Sequence, residues 1–246
     1  MKYSDETIQK IMELRASGKG VTEIGKILNL DRAAVSRNLK KLGIDTSRNT
    51  LIKDIFHQID TEEKAYWLGF LCADGYVSKY NQVEVSLALK DKNHLEKLKV
   101  FINTNTNIIT DDHRCRLLFC SKELANDLAS LGCVNNKSLT LTFPTKEQVP
   151  QELLRHFLRG YVDGDGCLCC TSKTRQFSIT STKQFFDGML ERTGWDKEKC
   201  NYYPSGQAIT WRCHKDVMPQ YLKYLYDNAN VYLNRKYEKY KTLTAV

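Results

Sequence analysis

No apolar run in the chain approaches the roughly 20 residues that a membrane-spanning helix needs, so a membrane role is not expected. The start, "MKYSDETIQK", is polar and acidic, unlike a secretory leader, and the expected compartment is the cytoplasm. The nine cysteines are an odd number, which reads as reduced thiols and not as a disulfide framework. A second Cys-x-x-Cys pair is missing too. The cluster "CLCC" (Cys167, Cys169, Cys170) has only Cys213 and His214 of "RCHK" to complete a zinc site. Alternating cysteines in an apolar strand read more simply as small core side chains. Acids are the scarcer charge, 29 against 37 Lys and Arg, and the formal charge of +8 suits a polyanionic partner without requiring one. The 246 residues suffice for one large domain or two smaller ones with a substantial core.

Residues 1–44 read as three helices. "SDETIQKIMELRASG" brings Ile8, Ile11, Met12 and Leu14 near one face, with Ser4 or Asp5 as N-cap and Gly18 and Gly20 as breakers. "VTEIGKILNL" carries Ile24, Ile27 and Leu28, and "DRAAVSRNLKKLG" is capped by Asp31 and closed by Gly43. Two short helices joined tightly suggest a helix-turn-helix. Gly25 would let the second helix lie close to the third, with Ile24, Leu30, Val35 and Leu39 between them. Arg32, Ala33, Ser36, Arg37 and Lys40 then form an exposed face suited to a major groove. A plain three-helix bundle with a solvated basic face is the alternative. Residues 45–61 read as a polar linker, in which Arg48 and Lys53 either touch a phosphate backbone or are merely solvated.

Beyond residue 61 the sequence repeats. A helix "TEEKAYWLGFLCAD", capped by Asp60 with Glu63 three residues on, precedes the alternating strand "QVEVSLALK". The helix "DKNHLEKLKVFI", the strands "NIIT" and "RCRLLFC", and the helix "SKELANDLASLG" follow. The second half runs in the same order: "PQELLRHFLRGYVDGD", "CLCCT", "QFSITS", "TKQFFDGMLERTG", "CNYYP", "AITWRC" and "VMPQYLKYLYDNA". Each half reads as αββαββα, and the two Asp-Gly ends, Asp74-Gly75 and Asp165-Gly166, are 91 residues apart. Small residues four apart, Gly69 with Ala73 and Gly160 with Gly164, would let the two motif helices meet along their backbones. Packed in parallel, they would bring Asp74 and Asp165 together. A carboxylate in the last helical turn opposes the helix dipole at about 0.3–1 kcal/mol, and two together repel further. A divalent cation between them removes the objection. A pair of ordinary turns with Gly75 and Gly166 as C′ residues is the plainer reading.

In "WLGFLCADG" (Trp67–Gly75) and "LRGYVDGDG" (Leu158–Gly166), the glycine, terminal Asp and last glycine match the motif of the LAGLIDADG homing endonucleases, which the chain resembles from residue 62 to about 243. Two copies in one chain look like the monomeric form. The resemblance implies an α+β fold, with a pseudo-twofold duplicated αββαββα unit (repeats at about 62–143 and 151–246) whose saddle-shaped antiparallel sheets cover DNA. It implies metal binding by Asp74 and Asp165, with Mg2+ or Mn2+ for cleavage and Ca2+ supporting binding alone. It also implies a basic residue near each site, for which Lys137 in "VNNKSLTL" and Lys236 in "LNRKYEKY" are the candidates. Cys72 departs from the motif, standing where Asp163 stands in the second copy, so unequal half-sites are expected.

The expected function is site-specific hydrolysis of both strands of duplex DNA by a protein of an intron-borne or freestanding mobile element. The outward strand residues Glu84, Ser86, Lys90, Arg114, Arg116, Ser178, Thr180, Thr210 and Arg212 would read the groove. A DNA-binding regulator with a retired nuclease fold, or an RNA-binding intron maturase, are the rivals.

Overall fold

A computed structural model of the chain describes residues 3–17, 19–44 and 51–245. Two compact units form: the chain up to Ile52 with Ile102–Asn107, and Lys53–Phe101 with Ile108–Val246. Among the described residues no helix is long and apolar enough to cross a membrane.

The first unit contains helices α1 (Asp5–Ala16), α2 (Val21–Leu28) and α3 (Arg32–Lys41). Ser4 accepts from the Thr7 amide and Asp31 from the Ala34 amide, each satisfying an otherwise unpaired donor of the first turn. Ile11, Val21, Ile24, Val35 and Leu39 form the core, with Leu14, Leu28 and Leu30 packed on it. At Gly25 a Cβ would lie 2.8 Å from the Leu30 carbonyl oxygen, so the α2–α3 turn can fold back only over a glycine. Met12, grouped by spacing with Ile8, Ile11 and Leu14, is exposed, as is Ile27 of the second helix. Three helices this short enclose only a narrow stripe of each.

The predicted linker is not polar throughout. Residues 45–50, Arg48 among them, lie outside the described residues. Ile55, Phe56 and Ile59 are buried, with the Phe56 ring centroid 5.9 Å from that of Phe101, so the stretch from Lys53 onward packs into the second unit.

The second unit repeats one order of elements. Its first half runs α4 (Glu62–Asp74), β1 (Gly75–Val77), β2 (Gln82–Ala88), α5 (Lys92–Phe101), β3 (Ile109–Thr110), β4 (Arg114–Cys120) and α6 (Lys122–Ser130). The second runs α7 (Leu154–Asp165), β5 (Gly166–Cys170), β6 (Arg175–Ser181), α8 (Lys183–Thr193), β7 (Cys200–Ser205), β8 (Ala208–Cys213) and α9 (Met218–Tyr226). A further helix, α10 (Asn234–Thr244), closes the second half, where the first has only a short turn, Lys137–Leu139. Both sheets are antiparallel with matching orders, β1-β2-β4-β3 and β5-β6-β8-β7. Strand alternation buries Val83, Val85, Leu117 and Phe119 in one half and Phe177, Ile179 and Trp211 in the other. Thr61, not Asp60, caps α4 by accepting from the Lys64 amide at 3.2 Å, while Asp60 pairs with the Lys64 ammonium.

The two halves meet where α4 and α7 touch. A Cβ on Gly69 would sit 1.9 Å from the Phe157 carbonyl oxygen, and one on Gly160 would sit 1.9 Å from that of Tyr66. These contacts are the same contact under the 91-residue repeat, which is the mark of a pseudo-twofold axis between the helices. Farther along, a Cβ on Gly164 would lie 2.3 Å from the Ala73 Cβ. The contacts advance together along both helices, so the helices are parallel and their C-terminal ends coincide.

Candidate active site

Asp74 and Asp165 are the last residues of α4 and α7. The following glycines are not left-handed caps: Gly75 and Gly166 are extended, with φ of −79° and −82°. Glycine is required because a Cβ at either would lie 2.5 Å from the carbonyl oxygen of Leu71 or Val162. The chain thus passes from helix straight into strand. Asp74 is half-buried, and burial first, then the neighbouring Asp165, pushes its carboxyl up to about 6 against the pull of Lys236, Arg235 and Lys137. Burial also raises Asp165, but its surface remains exposed and water screens it, so the larger rise belongs to Asp74.

Each acid at a helix end is matched by a buried lysine. Lys236, 3% exposed, donates to the carbonyls of Val162, Asp163 and Gly164 at 2.6, 2.7 and 3.0 Å. Those carbonyls belong to the last turn of α7, where a positive charge is favoured, and the one on Val162 also accepts from the Gly166 amide. Burial brings the Lys236 ammonium down to about 8, opposed by Asp163 and, less strongly, by Asp74 and Asp165. Lys137 donates to the Gly75 carbonyl at the end of α4. A cavity of about 200 Å³ opens between Lys137, Tyr161, Asp165, Thr180 and Ser181.

Asp163 faces away from this pair. It is fully buried and accepts from the Tyr66 hydroxyl at 2.7 Å, the Tyr226 hydroxyl at 2.6 Å and the Leu233 amide at 2.7 Å. That network anchors the segment leading into α10 and so delivers Lys236. Sequence reasoning missed it, although the departure at Cys72 was the available signal. Cys72 occupies the equivalent position, buried, with its thiol pushed up first by hydrogen bonding to Cys133 and then by burial. Arg159, also unforeseen, is fully buried and joins Glu62 (2.7 Å) to the carbonyls of Leu225 and Val231.

The carboxylates are the whole of the acidic donor set. Among the described residues no group of three or more His, Cys, Asp or Glu side chains is gathered to hold a metal, so the zinc reading finds no support. Cys167 and Cys169 flank the core-facing Leu168 and are not core residues.

The expected groove-reading residues fall mostly on the open face of the sheets. Ser86, Arg114 and Arg116 are exposed, and Arg116 lies 3.8 Å from the carboxylate of half-buried Glu84. Lys90 is exposed but sits in the turn after β2, which ends at Ala88. Ser178 is a correction: it alternates outward with Phe177 and Ile179 yet is buried, because Cys167 and Arg212 flank it in register and Gln176 bonds to its hydroxyl. The Thr180 and Thr210 hydroxyls pair at 2.9 Å, and Arg212 lies over the Tyr203 ring at 4.5 Å. Tyr76, Tyr202 and Tyr203, unforeseen, are exposed. In the first unit Arg32, Arg37 and Lys40 are exposed on α3 and Ser36 is half-buried.

No protein-family model matches the chain, and no curated protein matches it in sequence. Solved structures match its fold. The LAGLIDADG homing endonuclease I-GzeII, in complex with its DNA target, superposes with a TM-score of 0.51 at 16% identity, over 76% of this chain and 89% of that one. I-LtrWI, a LAGLIDADG homing endonuclease bound to target DNA, gives 0.50 at 14% identity, over 74% and 89%. The fold of this chain is the LAGLIDADG fold.

Proposed function

We propose that the protein is a divalent-metal-dependent endonuclease that cleaves both strands of duplex DNA at a specific site and works as a monomer. The observation that carries this reading is the joining of Asp74 and Asp165 at two glycine-packed helix ends, each lined by a buried lysine. Pure binding of a polyanion gains nothing from paired carboxylates, which repel phosphate.

The residues fit magnesium or manganese. The donors are hard carboxylate oxygens, and magnesium characteristically takes one or two carboxylates and completes its shell with water and substrate phosphate. Bound there, the ion would polarise the scissile phosphate and favour ionisation of a water nucleophile. Asp74 and Asp165 would hold it, and the upward-shifted Asp74 would give up its proton on binding. Lys236 uses all three of its protons on backbone carbonyls, so it acts on the phosphate by charge alone. Lys137 has one hydrogen bond among the described residues, to Gly75, and lines the cavity, which leaves it protons for a phosphate oxygen.

The open sheet faces, with Glu84, Ser86, Arg114, Arg116, Thr180, Thr210 and Arg212, would follow the groove, and the basic face of α3 would extend the site through a helix-turn-helix. Both DNA-bound structures of the same fold support the choice of duplex DNA. The test is cleavage of a target library in magnesium beside Asp74→Asn and Asp165→Asn. Each variant is expected to lose double-strand cutting while binding duplex in calcium as the wild type does. Full cutting by either variant refutes the assignment. Duplex binding without cutting by the wild type in magnesium or manganese identifies a regulator, and preferential binding of intron RNA identifies a maturase.

A further inference from the structure

The register of the second sheet puts Ser178, Thr180, Thr210, Arg212 and Asn201 on its open face. Most of the polar groups there are spent on one another. Thr180 Oγ1 and Thr210 Oγ1 are 2.9 Å apart, Gln176 Nε2 donates to Ser178 Oγ at 3.2 Å, and Asn201 Nδ2 lies 3.1 Å from His214 Nε2. Arg212 is held differently. Its Nε is buried with no hydrogen-bond partner among the described residues. Its guanidinium carbon lies 4.5 Å from the centroid of the Tyr203 ring. Tyr203 stands opposite Thr210, and Arg212 opposite Asn201, so ring and guanidinium meet on the diagonal of a strand pair. Strand β8 is paired on both sides, so Arg212 rises from within the width of the sheet and not from its edge strand.

The first sheet lacks this arrangement. Gly75 pairs with Val85 and Val85 with Leu117, as Gly166 pairs with Ile179 and Ile179 with Trp211. Ser178 and Arg212 therefore correspond to Glu84 and Leu118. Arg116, which corresponds to Thr210, lies 3.8 Å from the Glu84 carboxylate. One half thus offers a guanidinium braced by a ring, and the other offers a leucine at the same place.

We propose that Arg212, braced by Tyr203, reads a guanine in the half-site under the second sheet, and that the first sheet has no counterpart, so the recognition site is asymmetric at that position. The inference rests on the duplex-DNA reading of the sheet faces and not on cleavage. With Nε turned inward, the two terminal nitrogens of the guanidinium remain for a base, and such a fork matches guanine O6 and N7. A pairing of that kind discriminates about 5- to 150-fold against other bases. An aromatic brace restrains orientation, which a planar fork needs and a point charge does not.

The experiment mixes the full chain in calcium with a randomised duplex pool and sequences the bound fraction, beside Arg212→Lys, Arg212→Ala and Tyr203→Leu. The wild type is expected to select guanine at one position of one half-site. Arg212→Lys keeps the charge without the fork and is expected to lose about tenfold of that selection while other positions hold, and Arg212→Ala likewise. Tyr203→Leu is expected to lose about 2- to 5-fold at the same position. Replacing that guanine with 7-deazaguanine, which lacks only the N7 acceptor, is expected to weaken binding by the wild type and not by Arg212→Ala, and it decides the matter on the wild type alone if the variants bind no DNA. Guanine selection retained by Arg212→Ala, or an even loss over all positions in both Arg212 variants, which marks a phosphate contact, overturns the reading role. Selection unmoved in Tyr203→Leu overturns the brace. A wild type that selects sequences but cuts none in magnesium or manganese overturns the nuclease reading and leaves this inference standing, whereas a wild type that binds duplex without sequence preference overturns this inference.

Discussion

The contact between Ala73 and Gly164 invites an exchange of one methyl group. A Cβ at Gly164 would lie 2.3 Å from that of Ala73, far inside any real carbon–carbon contact, and the nearest Asp74 atoms would be 3.4 Å away. The interface thus has room for one methyl between these two positions. Gly164→Ala alone gains at most about 1 kcal/mol of helix propensity. It loses about 3 kcal/mol to overpacking, the upper end of the usual range, because the glycine contacts at 69 and 160 already fix the helix separation. The net is a loss of about 2 kcal/mol. Ala73→Gly loses about 1 kcal/mol of propensity and about 1 more for the vacated methyl. Simple addition puts the double variant about 4 kcal/mol below wild type. If the two positions share one space, the propensity terms cancel, the methyl is restored on the other side, and the loss is under about 1 kcal/mol, a coupling of about 3 kcal/mol. Urea unfolding of the four proteins measures this, with the slope of the transition checked for constancy. A double variant at the additive value would refute the picture of α4 and α7 as helices in direct contact at this level.

Asp74 carries a pH signature. Its folded pKa of about 6 lies above its ordinary value of 3.8, so in the metal-free protein this group destabilises the fold above about pH 6 and ceases to do so as pH falls toward 4. Asp74→Asn is therefore expected to be more stable than wild type in urea at pH 7, by a margin that shrinks by pH 4.5. A constant margin would contradict the shift. Asp163→Ala strands two tyrosine hydroxyls and the Leu233 amide, and a loss of about 3–5 kcal/mol is expected by urea unfolding, with Asp163→Asn less harmful. The triple variant Arg32→Ala, Arg37→Ala, Lys40→Ala tests the α3 face. If each residue neutralises one phosphate, the slope of log affinity against log salt falls by about 2–3, while cutting at saturating enzyme persists, as filter binding and a cleavage titration would show.

The duplication, the strand faces and the meeting of the two helix ends were legible because each follows from local spacing: small residues four apart, alternation by two, and one Asp-Gly offset. What escaped the sequence was set by long-range partners. β1 is three residues long and forms only because β2 is there to pair with it. Helix α10, "NRKYEKYKTLT", is too polar to announce a core face, and it is placed by Asp163, 70 residues before the Leu233 amide that it accepts from. Ser178 has the outward parity of a groove reader, but parity gives direction and not accessibility, which its neighbours across the sheet decide. Thr61 took the cap from Asp60 because Lys64 offered the latter a better partner.

The lysine that seals the end of α7 is encoded 71 residues after Asp165. On a ribosome adding about 5–20 residues per second, α7 exists for roughly 4–14 seconds before Lys236 is synthesised. Throughout that interval the carbonyls of Val162, Asp163 and Gly164 lack their cation, and for most of it Asp163 lacks the Tyr226 and Leu233 donors. Assembly is therefore ordered in time: a nascent chain acquires its two acids early and the charge that makes them tolerable late.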